Sequence, residues 1–583
     1  MTDRIVTNLE IAQALQEIAI YLDMDGIAFK PRAYDKAAQA VSTFPRRLHD
    51  VWREGGAKAL DAVPGLGKSI SAKIDELFRT GAIGALQALR ERFPVDVAAL
   101  TRVDGIGPKT VKLLWAELGV QTLDDLERAA REGRLEHVPH FGRKTQERVL
   151  KGIAFVREGH GRLPIIDALA YVRPIEARLR ALPSVQTCVI AGSLRRFRET
   201  IGDVDFLVVS QHPESVIEAF VGFDEVVDVH ARGVDTKASV RFANGLDADL
   251  RVVPAESLGA ALCYFTGSKA HNVHMRRLAI AKGYKLNEYG LFRVDDDVRV
   301  AGLTEEEIHA ALDLAYIPPE LREDQGEIEA ARDGRLPCLI ERGALRGDVQ
   351  IQTSWTDGHD SIEDMAHEAR RLGLEYIAIT DHTRDLAMTG GSDEAKLRDQ
   401  MAWIRAHRDR LGVHVLCGAE VNIRKDGSLD IDDETLSALD FVGVAIHHHF
   451  DLPRDAQTQR VIRALENPHV DMWFHPTARK LGERPPVDID LDACIAAAVR
   501  THTVLELDAH GRRLDLRDEH VRLALRSGAK ICINSDAHAI ADMAYPDAFG
   551  IPVARRGWAT ADDVVNTQPL PGFLASLKRS RRR

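Results

Sequence analysis

The amino-acid sequence predicts a multidomain protein with helical domains at its N-terminus, an α+β domain in the middle and an α/β barrel at its C-terminus. A glycine turn that opens a helix recurs three times before residue 150. A strand that begins with Asp203 and Asp205 follows, as expected in an α+β domain. From 346 to 570 apolar strands alternate with helical segments, and acidic or histidine residues end nearly every strand. Repeated β–α units of this kind are typical of parallel barrels.

The composition is that of a globular protein, with 45% hydrophobic and 28% charged residues, and a chain of 583 residues is too long for one core. The net charge of −12 argues against a uniformly basic nucleic-acid binder but allows local phosphate contacts.

The six cysteines form no CxxC pair, so we expect reduced thiols in the cytoplasm. No apolar run reaches membrane-spanning length, and no membrane partner is expected. The basic end LKRSRRR is expected to be solvated.

The recurring glycine turns are VPGLGKSISAKI (63–74), VDGIGPKTVKLL (103–114) and, more weakly, VPHFGRKTQERV (138–149). A Gly-x-Gly turn lets backbone N–H groups point outward at a helix start, where an anion binds well. Such a turn can hold a phosphate of the DNA backbone without reading bases, although a plain helix–turn–helix packing unit is the alternative. The pattern resembles the helix-hairpin-helix motif of DNA repair proteins. The predicted DNA-binding residues are Gly65, Gly67, Lys68, Lys73, Gly105, Gly107 and Lys109.

Two aspartates, Asp203 and Asp205, flank a single valine at the start of an apolar strand. Residues i and i+2 of a strand point to the same face, so both carboxylates project together. DADLRVV (247–253) is a candidate neighbouring strand, and its Asp249 is the third expected carboxylate. Three carboxylates can hold two divalent cations, which activate a 3′-hydroxyl and stabilise a leaving pyrophosphate. Mg²⁺ suits such a site, with Mn²⁺ as the alternative.

The residues upstream fit the same chemistry. Gly192 and Ser193 follow the strand CVIAGS and open a helix, where backbone amides and the Ser193 hydroxyl can hold a triphosphate. Arg195 and Arg196 add positive charge there. The order Gly-Ser, about ten residues, then Asp-x-Asp on a strand resembles the signature of the nucleotidyltransferase superfamily. A surface turn beside a paired Asp-x-Asp edge is the alternative.

The stretch ALCYFTGSKAHNVHMRRLAIAKGYKLNEYGLF (261–292) resembles the thumb of family X DNA polymerases. With the hairpins, the resemblance covers 1–320, and the chain is identified as a member of the bacterial PolX type. The resemblance implies that Asp203, Asp205 and Asp249 are the metal-binding catalytic residues. It also implies a set of nucleotide-binding residues that contact the triphosphate, the sugar and the nascent base pair: Gly192, Ser193, Arg196, Tyr264, Phe265, Gly267, Asn272 and Arg276. Core packing is the alternative for the two aromatic residues.

The N-terminal unit resembles the small lyase-type domain of the same family. Lys73 falls at the place where relatives with 5′-deoxyribose phosphate lyase activity carry a Schiff-base lysine. A lysine nucleophile needs a lowered pKa, which the sequence does not reveal. We therefore favour a DNA-backbone or 5′-phosphate contact for Lys73. Lys36 and Lys68 are candidates for a 5′-phosphate pocket, which would favour gapped DNA.

The C-terminal half resembles the PHP domain, a metal-dependent phosphoesterase barrel of the TIM class. The resemblance implies seven of the family's usual nine ligands: Asp357, His382, Glu420, His447, His475, Asp536 and His538. The first motif departs from the family pattern, because Gln350 and Gln352 occupy both histidine places. A neutral amide oxygen is a poor ligand for Zn²⁺ or Mn²⁺ beside imidazole. We expect one of these metals in a weakened site with impaired 3′→5′ exonuclease activity, and a retained scaffold is the alternative.

These motifs divide the chain into seven predicted segments. They are a lyase-type helical domain with the first hairpin (1–88), a fingers-like helical domain with the other two (89–155), a nucleotidyltransferase palm (156–260), a thumb (261–320), a linker (321–345), the PHP domain (346–570) and a basic tail (571–583).

The predicted function is template-directed addition of deoxynucleotides to a primer 3′ end, in gap filling during DNA repair such as base excision repair. The expected partners are gapped or primer-template DNA, deoxynucleoside triphosphates and a DNA ligase or other repair proteins. The chain is expected to be a monomer, cytoplasmic and nucleoid-associated. A DNA-end-binding repair factor with a structural PHP domain is the alternative, and the clustered aspartates favour the polymerase. Asn272 and Arg276 disfavour a template-independent nucleotidyltransferase.

Overall fold

The computed structural model describes residues 6–27, 30–44, 46–103, 105–139, 141–158, 162–232 and 236–582. Positions 104 and 140, which belong to the second and third predicted glycine turns, lie outside the described residues. No helix within these ranges combines the length and the apolar character that crossing a membrane requires.

The N-terminal part is helical, and its helices share one hydrophobic core. They are α1 (Asn8–Met24), α2 (Lys30–Thr43), α3 (Leu48–Leu60), α4 (Lys68–Thr80), α5 (Gly84–Arg92), α6 (Val97–Leu100), α7 (Pro108–Leu118), α8 (Leu123–Arg131) and α9 (Arg143–Glu158). Two of the predicted glycine turns start helices, because Gly67 is the N-cap of α4 and Gly107 is the N-cap of α7. Both helices end at a glycine with positive φ, Gly81 and Gly119, where an L side chain would be strained.

The middle part is an α+β domain built on a five-stranded sheet in the order β2-β4-β7-β6-β5. Its elements are β1 (Leu163–Pro164), α10 (Ile165–Arg180), β2 (Val185–Ile190), α11 (Gly192–Arg195), β3 (Thr200–Ile201), β4 (Asp203–Ser210), α12 (Pro213–Val221), β5 (Val226–Arg232), β6 (Lys237–Phe242) and β7 (Asp247–Val253). Strands β4 and β7 are parallel, whereas the other neighbours in this sheet are antiparallel.

Strand β4 is apolar on both faces because both faces of the sheet are covered. Phe206 and Val208 pack in the core that α10 and α12 share with the sheet. Leu207 and Val209 point the other way, into a smaller core with Ala261 of the next helix along the chain. The apolar run after the two aspartates therefore follows from the position of β4 inside the sheet.

The thumb follows directly and consists of α13 (Leu258–Thr266), α14 (Lys269–Ala281), an antiparallel sheet of β8 (Tyr284–Asn287), β9 (Gly290–Arg293) and β10 (Arg299–Ala301), then α15 (Glu305–Ala311) and α16 (Glu327–Arg332). The predicted linker 321–345 is not a free connector. Leu321 and Ile328 belong to the thumb core, and the buried Arg322 lies 2.6 Å from Glu305 in α15. The charged composition of this stretch suggested a connector, but Arg322 is buried in a pair with Glu305, and Glu327 is buried in a pair with His271.

The C-terminal half is a parallel α/β barrel. Its elements are β11 (Gly347–Ile351), α17 (Ile362–Arg371), β12 (Tyr376–Ile379), α18 (Glu394–His407), β13 (His414–Asn422), α19 (Asp433–Ala438), β14 (Phe441–Ala445), α20 (Arg454–Glu466), β15 (Met472–Trp473), α21 (Leu491–Thr501), β16 (Val504–Asp508), α22 (Asp518–Arg526), β17 (Ile531–Asn534), α23 (Ile551–Arg556) and α24 (Leu570–Ser576). The seven strands lie in sequence order, and Ile351 at the end of β11 bridges Ala537 just after β17. The sheet thereby curls until its last strand meets its first.

The basic end of the chain is packed against the barrel, so the expectation of a solvated tail is wrong for Lys578 and Arg579. The Lys578 ammonium donates to the carbonyl oxygens of Leu465 and Asn467 at 2.6 and 3.1 Å. Arg579 lies 2.6 Å from the buried carboxylate of Asp471. Local composition does not reveal such partners, because they are about a hundred residues away in the sequence.

Candidate active sites

Strands β4 and β7 bring the three predicted palm carboxylates together. The register sets Asp205 opposite Asp249 and Asp203 one pair further along the same face. Burial, followed by the charges of Asp203 and Asp249, raises the pKa of Asp205 to about 7. Asp249 also accepts a hydrogen bond from Ser239 and lies 3.4 Å from the Lys237 ammonium.

This carboxylate cluster fits divalent cations. A buried carboxyl whose pKa is raised by two like charges gains most from a nearby positive ion. Among the described residues, the three carboxylates do not form a set with all ligand atoms within 4.8 Å of one another, in contrast to the barrel groups below. The site is therefore an open face of clustered charge, and Asp203 at its rim is exposed.

The turn at Gly192 lies directly against the Asp205 carboxylate. Gly192 has a φ of +63°, and a Cβ atom there would overlap the Asp205 carboxylate. The turn leads from β2 into α11, and the hydroxyl of Ser193 is buried without a hydrogen-bond partner in the described structure. An unpartnered buried hydroxyl next to a carboxylate cluster is available to a ligand. Gly192 and Ser193, the predicted triphosphate contacts, thus lie beside the carboxylate cluster.

The two arginines of this turn reach the thumb. Arg195 donates to Thr266 at 2.7 Å and to Glu305 at 2.6 Å, so its role is to join palm and thumb. Arg196 donates to the Thr266 carbonyl oxygen and to Glu323 at 3.1 Å. Burial lowers the pKa of Arg196. The guanidinium that the resemblance assigns to the triphosphate is thus engaged by a carboxylate that sequence reasoning left out.

The predicted thumb residues divide between a small groove, lined by Tyr264, Asn272 and Arg276, and the edge of a core. Asn272 donates to the carbonyl oxygen of Tyr264 at 2.6 Å, and Arg276 donates to that of Asn272 at 3.3 Å. The Tyr264 side chain is 38% exposed, which excludes core packing for it. Phe265 packs at the edge of the palm core, under the guanidinium of Arg251 at 4.6 Å.

Gly267 lies beside this groove and close to the palm. Its φ is +68°, and a Cβ atom on it would come within 3.0 Å of the Arg196 guanidinium. Gly267 therefore lets the thumb approach the nucleotide turn at a place where a side chain would collide.

The helices that follow the first two glycine turns begin without a side-chain N-cap. Gly65 and Gly105 have φ values of +84° and +81°, and neither α4 nor α7 has a side-chain cap at its start. The exposed N–H groups of these first turns are open to an anion. The lysines of the two motifs follow on the helices: Lys68 and Lys109 are exposed, and Lys73 donates to Ser69 at 3.3 Å.

The seven predicted barrel ligands lie at or just after the C-terminal ends of the strands. Five of them form two overlapping groups whose ligand atoms lie within 4.8 Å of one another: Asp357, His382 and His538 in one, and His382, Glu420 and His447 in the other. His382 links the groups, because its Nε2 atom is 3.6 Å from Asp357 and its Nδ1 atom is 3.2 Å from Glu420.

These five residues fit a metal ion. Buried atoms of Asp357, His382 and His447 have no hydrogen-bond partner in the described structure. The second ring nitrogens of two of the histidines are held by hydrogen bonds. His447 Nδ1 lies 2.7 Å from the Asn422 side chain, and His538 Nδ1 lies 2.9 Å from a backbone oxygen. Metal-ligating imidazoles typically use their second nitrogen in this way.

His475 and Asp536 are placed differently. His475 Nε2 lies 2.7 Å from Glu420, and the carboxylate of Asp536 lies 3.1 Å from the Arg513 guanidinium. Gln352 donates its amide to Glu420 at 2.8 Å, and the amide of Gln350 is buried without a partner among the described residues. The structure therefore does not bring His475 and Asp536 into the two compact groups.

Sequence reasoning missed the basic wall of this site. A pocket of about 290 Å³ contains ligands of the first group together with Lys480, Arg512 and Arg513. Arg512 and Arg513 follow β16 in the stretch TVLELDAHGRRLD (503–515), where the histidine and the aspartates drew attention away from the arginines. A pair of arginines directly after a strand of the barrel was the available signal.

Family models match four parts of the chain: a helix-hairpin-helix domain at 6–83, a SAM-like helix-hairpin-helix tandem at 97–154, the DNA polymerase beta thumb at 261–323 and the PHP domain at 348–487. The DNA polymerase/3′-5′ exonuclease PolX of Bacillus subtilis is 35% identical over 575 residues, 98% of this chain and 99% of the relative. DNA polymerase lambda of Rattus norvegicus is 26% identical over 54% of this chain and 56% of its own. A probable phosphatase of Acetivibrio thermocellus is 32% identical over 31% of this chain and 73% of its own. Similarity at this level along nearly the whole of two chains shows that the chain belongs to the bacterial PolX type of family X DNA polymerases, which carry a PHP domain.

Proposed function

We propose that the chain is a template-directed DNA polymerase that adds deoxynucleotides to a primer 3′ end and fills gaps during DNA repair. The observation that carries the proposal is the pairing of β4 with β7, which sets Asp205 opposite Asp249 and directly under the Gly192 turn. The relatives named DNA polymerase support the activity. A DNA-end-binding factor with secondary catalysis is not favoured, because binding alone needs no carboxylate cluster close to DNA.

Asp203, Asp205 and Asp249 are the proposed catalytic residues. They would hold divalent cations, with Mg²⁺ proposed and Mn²⁺ as the alternative, and such ions activate a 3′-hydroxyl and stabilise the leaving pyrophosphate. The backbone amides of the Gly192 turn and the free Ser193 hydroxyl hold the phosphates of the incoming nucleotide.

The thumb groove holds the rest of the nucleotide. Tyr264 and Phe265 flank the sugar, and the exposed Tyr264 side chain is placed to crowd a 2′-hydroxyl. Asn272 and Arg276 face the nascent base pair from the same groove. Arg196 contributes positive charge below Gly267. The ion pair with Glu323 reduces how much of that charge is available to the triphosphate.

The N-terminal helices hold the DNA. The bare starts of α4 and α7 contact backbone phosphates through Gly65, Gly67, Gly105 and Gly107, with Lys68 and Lys109 beside them. Lys36, Lys68 and Lys73 are assigned to a 5′-phosphate on the far side of a gap. A chain that holds both ends of a gap suits repair synthesis, and a DNA ligase is the expected next enzyme.

The barrel is assigned a reduced metal site for Mn²⁺ or Zn²⁺, with impaired 3′→5′ exonuclease activity. The five convergent ligands support metal binding, and the replacement of two histidines by Gln350 and Gln352 supports the impairment. The segments predicted from the sequence remain the proposed domains, except that 321–345 is joined to the thumb and 571–583 is joined to the barrel. The free state of all six cysteines is compatible with the expected cytoplasmic location.

The polymerase assignment is tested by primer extension on gapped DNA with each of the four deoxynucleotides. The wild-type chain should add the nucleotide that matches the template, and Asp205→Ala should lose addition by at least ~1,000-fold, because the reaction depends on charge stabilisation at this point. Both should bind the DNA alike in a fluorescence anisotropy titration. Asp224→Ala, at an exposed position of the palm, is the matched control. Addition that ignores the template, or that persists in Asp205→Ala, would reject the assignment.

The barrel assignment is tested separately. The Asp205→Ala chain receives Mn²⁺, no nucleotide and a 5′-labelled primer. Slow shortening that is lost when His382→Ala is added would locate the cutting in the barrel, because His382 belongs to both ligand groups. A primer that stays intact would leave the barrel with a scaffold role.

A further inference from the structure

Three acidic side chains are buried around the floor of the barrel pocket. Glu420, Asp508 and Asp536 are between 0 and 3% exposed. Burying several carboxylates at one place is strongly unfavourable unless positive charge compensates them. Gln350 and Gln352, which stand next to this floor, are neutral and supply none.

Arg513 provides the compensation. Its Nε atom lies 3.1 Å from Asp536 and 3.3 Å from Asp508, and its side chain is 16% exposed. Burial acts to lower the pKa of Arg513, but the charges of Asp536, Asp508 and Glu420 outweigh it and raise the pKa. The fixed positive charge of Arg513 thus lies between the buried carboxylates of Asp508 and Asp536.

The glutamines complete this arrangement. The amide N–H of Gln352 donates to Glu420 at 2.8 Å, and its amide oxygen is buried without a hydrogen-bond partner among the described residues, so Gln352 adds no positive charge to this floor. On the other side, Glu420 lies 3.1 Å from His447 and 3.2 Å from His382, within the compact ligand groups. Glu420 thus belongs to the metal-binding groups, whereas Asp508 and Asp536 are paired with the guanidinium of Arg513.

We propose that Arg513 is a built-in cation that takes the place of one metal ion of the barrel site. This inference rests on the proposed metal site. The metal is held by Asp357, His382, Glu420, His447 and His538, and the guanidinium neutralises Asp508 and Asp536. Lys480 and Arg512 continue the positive wall of the same pocket, which suits a phosphate group of the substrate. The barrel of this chain accordingly binds one ion fewer than a barrel that has histidines at 350 and 352 and no guanidinium at 513.

The ion count tests the proposal directly. Wild-type, Gln350→His/Gln352→His, Arg513→Ala and the triple variant are titrated with MnCl₂ by calorimetry, and retained manganese is measured by mass spectrometry. All four proteins have the same palm, so the number of ions bound by the palm cancels when the ion counts of the variants are compared with that of wild type. The double and single variants should bind as many ions as wild type, and the triple variant should bind one more. An extra ion in the double variant, with Arg513 present, would overturn the proposal, and so would a triple variant that gains none.

A second measurement uses stability, in case the loss of Arg513 prevents folding. Thermal unfolding is followed in EDTA for Arg513→Ala, Asp536→Asn and the combination. Arg513→Ala should lower the melting temperature by several degrees, and the added Asp536→Asn should recover at least half of the loss, because the uncompensated charge is removed. Arg517→Ala, a nearby arginine that pairs with Glu519 near the surface, should change little. Losses that simply add would show that the two groups do not compensate each other.

The outcomes separate this proposal from the proposed function. If wild type binds no manganese beyond that of the palm, the metal site of the barrel fails, and the inference fails with it. If wild type binds manganese and the double variant gains an ion, only the role of Arg513 fails. Primer extension by all the barrel variants should equal that of wild type, because none of these residues lies in the palm.

Discussion

Asp205 shows how much the palm depends on positive charge that a ligand brings. Burial and the neighbouring charges of Asp203 and Asp249 raise the pKa of Asp205 to about 7. The ordinary pKa of an aspartate in an unfolded chain is about 4. A group whose pKa is higher in the folded state favours folding at low pH, and this contribution is lost as the pH rises through the folded value. The metal-free palm should therefore become less stable between pH 5 and pH 8.

Replacing this carboxylate should remove the penalty. In EDTA at pH 8, Asp205→Asn should be more stable than wild type by about 1–4 kcal/mol, because each pH unit of pKa difference is worth ~1.4 kcal/mol. The difference should shrink as the pH is lowered to 5, where Asp205 of the folded wild type takes up a proton. Chemical unfolding at the two pH values measures it, with Asp224→Asn at an exposed position as the control. A difference that does not change with pH would contradict the electrostatic cause.

Tyr264 offers a second prediction for a single residue. Its side chain is 38% exposed, and its carbonyl oxygen is held by Asn272 at 2.6 Å. Tyr264→Ala should leave the melting temperature within about a degree, since little buried area is lost. It should raise the efficiency of ribonucleotide addition relative to deoxynucleotide addition by roughly 10-fold, a change of ~1.4 kcal/mol. Single-nucleotide insertion kinetics measure the ratio. Tyr264→Phe is the control, and an unchanged ratio in the alanine variant would speak against this site for the sugar.

The hairpin helices are proposed to bind DNA through their first turns, and α7 offers a matched pair of lysines. Lys109 is exposed at the start of the helix, whereas Lys112 lies 3.7 Å from Asp25, the residue that follows α1. Lys109→Ala should weaken DNA binding equally for all sequences and reduce the slope of log affinity against log salt by about 1. Lys112→Ala should leave the slope unchanged. Anisotropy titrations at several salt concentrations measure both, and equal effects of the two substitutions would remove α7 from the proposed interface.

Local elements were predictable where a short pattern fixes them. The Asp-x-Asp spacing located β4, and the Gly-x-Gly turns located the starts of α4 and α7, because strand periodicity and positive φ are local constraints. The linker, the basic end and Arg513 were not predictable in this way. The position of each depends on an ion pair or hydrogen bond with a residue that is not its neighbour in the sequence. In the predicted linker, for example, Arg322 pairs with Glu305. Charge patterns along a chain do not reveal such pairings.

At the scale of the whole molecule, a chain of charges connects the barrel with the nucleotide turn. Asp518 of the barrel lies 2.6 Å from Arg556, and Arg556 lies 3.0 Å from Glu323. Glu323 in turn lies 3.1 Å from Arg196. The carboxylate of Glu323 is thus shared between an arginine of the barrel and the arginine assigned to the triphosphate. If Arg196 binds the triphosphate as proposed, this sharing would let the barrel affect nucleotide binding without any contact with the nucleotide.

The sharing predicts opposite effects of two substitutions. Arg556→Gln leaves the charge of Glu323 to Arg196 and should raise the KM for deoxynucleotides about 3- to 10-fold, which corresponds to roughly 1 kcal/mol. Glu323→Gln releases Arg196 and should lower the KM by a similar factor. Arg555→Gln is the control, because Arg555 lies next in the chain and pairs with Glu320 at 2.7 Å without reaching Glu323. Steady-state insertion kinetics, with melting temperatures to verify folding, measure all three. If both substitutions raise the KM, Glu323 orients Arg196 for the triphosphate and does not compete with it.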